Sequence, residues 1–252
     1  MNKFFSDQDF DIFSEQYATS DEDEVIQKRK IVFEKFRDLH ENHLKEFCRY
    51  LDLHPHHQPQ HLTNVYYPFK EANGGYVDYM RLGYGKEHRQ ILNMYRKIGF
   101  SREDMAFYKV VQLQTYINED GFGVDLYLDK SDVIEHANIA KKISTPLYYN
   151  KIASMIDELA DKYIPILLIY ERYEPHQSKY KPVYINSGKD FLDKYMYLYN
   201  SKQMFSVIVD IQLDRNDEIN DIRLYPKFVM KAFIELYPLY KELSWSITNN
   251  YL

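Results

Sequence analysis

Residues 107–128 read FYKVVQLQTYINEDGFGVDLYL, and their pattern decides the fold. Val111, Leu113 and Ile117 alternate with Gln112, Gln114 and Tyr116. Beyond the turn Phe122, Val124, Leu126 and Leu128 alternate with Gly123, Asp125 and Tyr127. Successive side chains of a strand point to opposite faces, so each half carries one apolar and one polar face. Asn118-Glu119-Asp120-Gly121 joins them, and its glycine can take positive φ without a Cβ clash. The pattern predicts an antiparallel hairpin.

Working downstream, Asp132 and Glu135 have capping-box spacing ahead of a helix carrying Val133, Ala137 and Ala140. Thr145-Pro146 opens another, with Tyr148, Ile152, Met155 and Leu159 on one face. Ile164 to Tyr170 is apolar on both faces, the pattern of a central strand covered on both sides, with Pro182 to Asn186 pairing to it through the loop around His176. Ser187-Gly188-Lys189-Asp190 caps a helix to about Asn200. In the stretch Met204 to Leu213, Phe205, Val207, Val209, Ile211 and Leu213 face inward, while Ser206, Asp210 and Gln212 face outward. Pro226 opens a last helix with Val229, Phe233 and Leu236 inward, which Pro238 interrupts or ends.

Upstream, Ser20-Asp21-Glu22-Asp23 caps a long amphipathic helix whose stripe includes Val25, Val32, Phe36, Leu39 and Phe47 and runs to about residue 51. Proline ends it, and residues 52–72 read as an extended connector. Tyr76 to Tyr84 is a strand entered through Asn73-Gly74-Gly75, and a helix from about Glu87 to Ile98 stops at Gly99. The sum is a single α+β domain over residues 1–252, with residues 1–20 as an N-terminal segment. Its sheet is mainly antiparallel, with helices packed on one face.

Composition narrows the functional classes. The net charge is −6 with no extended Lys/Arg run, so nucleic acid is not favoured by charge. The single cysteine, Cys48, forms no intramolecular disulfide, which fits a reducing compartment. No apolar leader or membrane-length apolar run is visible, so a soluble cytoplasmic protein is expected. Twenty-five tyrosines beside one tryptophan imply packing by rings that also need hydrogen-bond partners, and biased genome composition accounts for such a count.

The segment Phe5-Ser6-Asp7-Gln8-Asp9-Phe10-Asp11-Ile12-Phe13 resembles the aromatic-Ser/Thr-x-x-Asp-Phe-x-aliphatic-Phe opening of the uncharacterised bacterial YktB-like family. Long helix, Gly-flanked strand and hairpin then follow in a similar order. The resemblance implies an α+β fold and brings no established activity, so it assigns no functional residues.

Several constellations bear on chemistry. His54, His56, His57 and His61 offer imidazoles to a metal such as zinc, but Pro55 and Pro59 break the helical geometry that would align them, and a solvated loop is the competing reading. Arg37-Asp38 followed by His43 matches in outline the motif of HEPN-type ribonucleases. The two key residues fall about 120° out of line on a helix, and a solvated helix face with an Arg37/Glu41 pair is the favoured reading. Asp125 and Asp210, both outward on strands, invite a metal-dependent hydrolase acting on nucleic acid with magnesium, as in a defence or mobile-element setting, but no acid-x-Lys accompanies them. Gly83-Tyr84-Gly85-Lys86 is too short in glycine for a phosphate loop, and Cys48 reads as a core residue.

The preferred site is the polar face of the sheet. Arg81, Gln112, Gln114, Tyr116, Asp125 and Tyr127, with Tyr79 beside them, combine groups suited to a polar ligand, Arg81 matching a carboxylate or phosphate. A one-sided antiparallel sheet ordinarily shows water such a face. Gln and Tyr in place of the usual Lys, Glu and Thr single this one out. The expectation is a module binding a polar ligand or protein partner through that face. A scaffold that forms a homo-oligomer through Phe36 and Leu39 of the first long helix is the further alternative.

Overall fold

The computed structural model describes residues 2–20, 22–56, 77–97, 110–171, 179–246 and 248–252, and every structural statement here concerns those residues. The connector from His57 onward, the Asn73-Gly74-Gly75 turn, the Gly99 stop and the His176 loop lie outside them. The fold is α+β with a mainly antiparallel, open seven-stranded sheet. In chain order the strands are β1 (His54–His56), β2 (Tyr79–Gly85), β3 (Gln112–Asn118), β4 (Gly121–Leu128), β5 (Ile164–Glu171), β6 (Lys179–Tyr184) and β7 (Phe205–Asp214). In space they run β1-β2-β3-β4-β7-β5-β6, so β1 and β6 are the edges. The chain divides into two compact units, each assembled from three stretches.

The first unit comprises Met1–Gly85, Gln114–Val124 and Gln212–Phe233. Its core is aromatic: Phe5 meets Phe36 at 5.6 Å and Tyr225 at 5.2 Å between ring centroids, and Phe122 meets Tyr225 at 5.4 Å, all edge-on. Helix α1 (Asp7–Asp11) belongs to the opening motif. Asp9 accepts from the Ser6 N–H and hydroxyl and from Lys35 Nζ, so the Ser-x-x-Asp spacing closes the helix start. Phe5, Phe10, Ile12 and Phe13 are buried. After α2 (Glu15–Ala18), the fully buried Arg29 guanidinium caps that short helix by donating to the carbonyls of Tyr17 and Ser20.

The long helix is α3 (Asp23–Leu39) continued by a π-helical turn (His40–Leu44) and α4 (Lys45–Tyr50). The π turn has a cause in the sequence. Phe36, His40, Leu44 and Cys48, all buried, follow one another at steps of four. Each such step overshoots a full α-helical turn by about 40°, and a widened turn returns the stripe to the core. Proline does not end this helix, contrary to the sequence expectation. Asp52 takes a left-handed conformation (φ 55°), and the Leu53 N–H closes on the Cys48 carbonyl at 2.9 Å. Pro55 lies in β1, opposite Tyr84 of β2, so the expected connector begins with an edge strand, where a missing N–H is tolerated.

The β3–β4 hairpin forms with Glu119 and Asp120 as its turn. The Asn118 side chain accepts from the N–H groups of Asp120 (3.1 Å) and Gly121 (2.9 Å) and so closes the turn itself. Gly121 is required for a reason other than positive φ. A Cβ there would overlap the Leu213 carbonyl of β7.

The second unit comprises Lys86–Leu113, Asp125–Ile211 and Ile234–Leu252. It holds α5 (His88–Lys97), α6 (Val133–Ile143), α7 (Pro146–Leu159) and α8 (Gly188–Asn200). Asp132 caps α6 by accepting from the N–H groups of Ile134 and Glu135. The face assignment differs from expectation, because Val133 is 64% exposed and Ile134 packs instead with Ile91, Met94, Tyr95, Val110 and Trp245. Ser187 caps α8 as its sequence predicts, and Gly188 lies against the backbone of Ala153 in α7. Helix α9 (Tyr225–Leu243) draws on both units, buries Val229, Phe233 and Leu236, and continues through Pro238.

Candidate functional site

The residues expected on a water-facing polar sheet face are largely enclosed. In the first unit Arg81, Gln114 and Tyr116 are buried, the Arg81 guanidinium donates to Gln114 Oε1 at 3.4 Å, and it lies 5.5 Å from the Tyr79 ring centre. In the second unit Gln112 and Asp125 are buried, and half-buried Tyr127 donates to Asp129 at 2.9 Å. The alternation was read correctly, with Leu113, Ile117, Phe122, Val124, Leu126 and Leu128 at zero exposure on the apolar face. The solvation of the polar face was not. Burial leaves Arg81 and Gln114 in the first unit, and Gln112 in the second, almost no surface open to solvent.

The other sequence candidates scatter. Arg37 pairs with Glu34, while Glu41 pairs with Lys45, so the Arg37/Glu41 pair does not form. His43 is exposed. His54 faces Asp52 at 3.5 Å and His56 is buried in β1, whereas His57 and His61 lie outside the described residues. No group of three His, Cys, Asp or Glu side chains converges as metal ligands among the described residues. Cys48 is buried, and burial pushes its thiol up to about 12.

One polar centre escaped the sequence reading. The buried Lys86 ammonium pairs with the buried Glu135 carboxylate and also donates to the Ser244 hydroxyl. Glu135 further accepts from the backbone N–H groups of Val111 and Trp245. It therefore does not fold back to complete the capping box that its spacing suggests. Asp132 is fully buried beside it, with one oxygen on the helix N–H groups and the other without a hydrogen-bond partner. Burial, reinforced by the Glu135 charge, holds its carboxyl well above the usual carboxylate range. At the residue after Glu135, burial lowers His136 to about 4. Its Nε2–H donates to the Asp129 carbonyl (3.2 Å), and Nδ1 accepts from the Tyr195 hydroxyl (2.9 Å). These groups are chemically distinctive, yet their partners are the protein's own and their surroundings are closed.

What the second unit turns outward is different. In the ladder, Ile166 of β5 lies between Ile208 of β7 and Tyr184 of β6, Leu168 between Ser206 and Pro182, and Ile164 opposite Asp210. Cross-strand partners share a face. The opposite face of these strands buries Pro165, Leu167, Val207 and Val209. On the outward face Ile164 is 52% and Tyr184 62% exposed, Pro182 is exposed, and Ile166, Leu168 and Ile208 are half-buried. The sequence expectation of a central strand covered on both sides is thus corrected. β5 is next to the edge, and its second apolar face is not fully covered.

Lys130 marks one end of this strip, its ammonium 3.6 Å from the Tyr170 ring centre, and Asp210 marks the other. The edge itself is blunted. Ile185 N–H donates to the Pro165 carbonyl, so alternation turns the backbone groups of Pro182 and Tyr184 away from β5, and Pro182 has no N–H to offer an added strand. The strip is broader than the 290 Å³ groove lined by Met155, Leu159, Tyr163, Glu235, Pro238 and Leu239, where Glu235 is already held by Lys162 and the Tyr163 hydroxyl.

Searched against protein-family models and against curated proteins, the chain has no match.

Proposed function

We propose that the protein is a binding module that takes a macromolecular partner on the outward face of β5, β6 and β7. One observation carries this reading: six apolar side chains, Ile164, Ile166, Leu168, Pro182, Tyr184 and Ile208, line one partly exposed face of three adjacent strands. Antiparallel sheets that face water alternate to polar residues on that side. A contiguous apolar strip rimmed by charge is the signature of a docking surface. The binding role expected from the sequence is kept, and its surface moves from the polar strands to the apolar end of the sheet.

The test is photo-crosslinking. Tyr184→p-benzoylphenylalanine places a reactive group on the exposed face, and irradiation in an extract of the producing cells should give a covalent adduct with another polypeptide. The adduct should disappear when Ile164→Glu is added. No adduct, or one that is indifferent to Ile164→Glu, removes this reading.

A second reading is favoured by the burial of Arg81 beside Gln114: a small anionic ligand enclosed at that site. Native mass spectrometry of the freshly purified protein, compared with Arg81→Ala, tests it. A bound small molecule lost in the variant supports it, and an identical bare mass for both proteins opposes it.

A further inference from the structure

From the arrangement of charge on the strip, we propose that its occupant is a second copy of this chain, packed face to face about a two-fold axis. The inference rests on the docking surface just described and names its partner. The strip is polar in the sense that its ends differ. Lys130, over Tyr170, places a positive charge at one end, and Asp210, opposite Ile164, places a negative charge at the other. From Tyr170 to Ile164 the strand advances about 20 Å. Between the ends lie Leu168, Ile166 and Ile208, which present no charge.

A two-fold axis through the middle of such a strip exchanges its ends. It sets Lys130 of one copy toward Asp210 of the other, twice, and apolar centre on apolar centre. This self-complementarity is what an isologous interface requires. The alternative symmetric contact, β6 added edge to edge, would need Pro182 as a ladder donor at its centre, and proline has none to give. Face packing is therefore the contact the strands permit. Its size sets its strength. Three strands span about 10 Å and the strip about 20 Å, less than the roughly 800 Å² per partner of a standard interface. The dimer belongs to the weak, transient class and dissociates on dilution.

Sedimentation velocity on the purified full chain from about 1 to 200 μM reads this directly. The expected result is a monomer–dimer equilibrium that Ile164→Glu shifts at least tenfold toward monomer, with an unchanged thermal melt showing that the exposed residue does not support the fold. Charge exchange gives the sharper outcome. Lys130→Asp and Asp210→Lys should each weaken self-association, by repulsion at both ends. An equimolar mixture of the two should recover a mixed dimer, seen by native mass spectrometry as the species of intermediate mass. A protein monomeric at 200 μM, a dimer unmoved by Ile164→Glu, or a mixture that recovers nothing overturns the proposal. A monomeric protein that still gives the Tyr184 adduct with a different polypeptide overturns the second-copy inference alone, whereas loss of the adduct removes the docking surface as well.

Discussion

Lys86 and Glu135 form an ion pair enclosed by protein, the first residue beyond β2 reaching the first turn of α6. Glu135 is more than the partner of a lysine. Its two oxygens also receive the Val111 and Trp245 N–H groups, so the carboxylate ties the approach to β3 and the segment after α9 to one point. Removing one member of a buried pair leaves the other charge uncompensated, which costs about 3–5 kcal/mol. Glu135→Ala should therefore lower stability by about that amount in urea unfolding. Glu135→Gln, which keeps acceptor oxygen for one N–H group, should cost less. If Glu135→Ala and a surface substitution such as Glu119→Ala shift the midpoint equally, the centre carries no such role.

The neighbours of that pair give stability a worked pH dependence. His136 falls from the ordinary 6.5 to about 4 in the folded protein because burial opposes its charge. The unfolded chain then binds more protons than the folded one between these values. Stability contributed by the neutral imidazole is present above pH 6.5 and is lost as the pH drops toward 4, a total of roughly 3 kcal/mol. Asp132 has the opposite sign. Its raised folded value makes the folded state hold a proton that the unfolded state releases above about 3.8, so its contribution is complete below that point and declines as the pH rises. Asp132→Asn keeps an oxygen for the helix N–H groups and removes the titration. Chemical unfolding from pH 4 to 9 should show a flatter alkaline limb for Asp132→Asn and a flatter acid limb for His136→Gln. Superimposable curves for wild type and both variants contradict this account.

The sequence made the strand alternation legible because period two survives in the residues themselves, and Phe122, Val124, Leu126 and Leu128 are all buried as read. It also located Ser187 as a cap and placed Val229, Phe233 and Leu236 inward. It could not show what covers a face. Gln112 and Gln114 have the pattern of solvated strand residues whether water or protein meets them, and here they are buried. Ile164 to Tyr170 has the pattern of a covered strand, yet strand order puts it beside the edge strand β6. Lys86 and Glu135 lie 49 residues apart and are joined only by the fold. The π turn at His40 was not legible, because only burial singles out Phe36, His40, Leu44 and Cys48 as one stripe at steps of four.

Cys48 supplies a prediction that separates a core thiol from a reactive one. Burial pushes the thiol up to about 12, leaving almost no thiolate at pH 8. A disulfide reagent such as 5,5′-dithiobis(2-nitrobenzoate) should leave the native protein untouched over the time in which it fully modifies the same protein in 8 M urea. Modification of native protein at the rate of a free thiol would place Cys48 outside the core.

Gly188 and Gly121 test packing in their respective units, because a methyl group at either position meets backbone and not a side chain able to swing away. At Gly188 the Cβ would fall on the Ala153 carbonyl, where α8 starts against α7, while the Gly188 N–H is also spent on the Asp157 side chain. At Gly121 it would fall on the Leu213 carbonyl of the neighbouring strand. Relief at Gly188 requires shifting a helix, and relief at Gly121 requires displacing a strand that the Asn118 turn holds in register. Overpacking of this kind costs about 1–3 kcal/mol or more, and the rigidity of both obstacles puts these sites at the upper end. Gly188→Ala and Gly121→Ala should each lower the melting temperature by several degrees, while Gly→Ala at an uncrowded compatible site is expected to stabilise slightly by reducing the entropy of the unfolded chain. A gain in stability at either position would mean that helix or strand sits farther off than this packing allows.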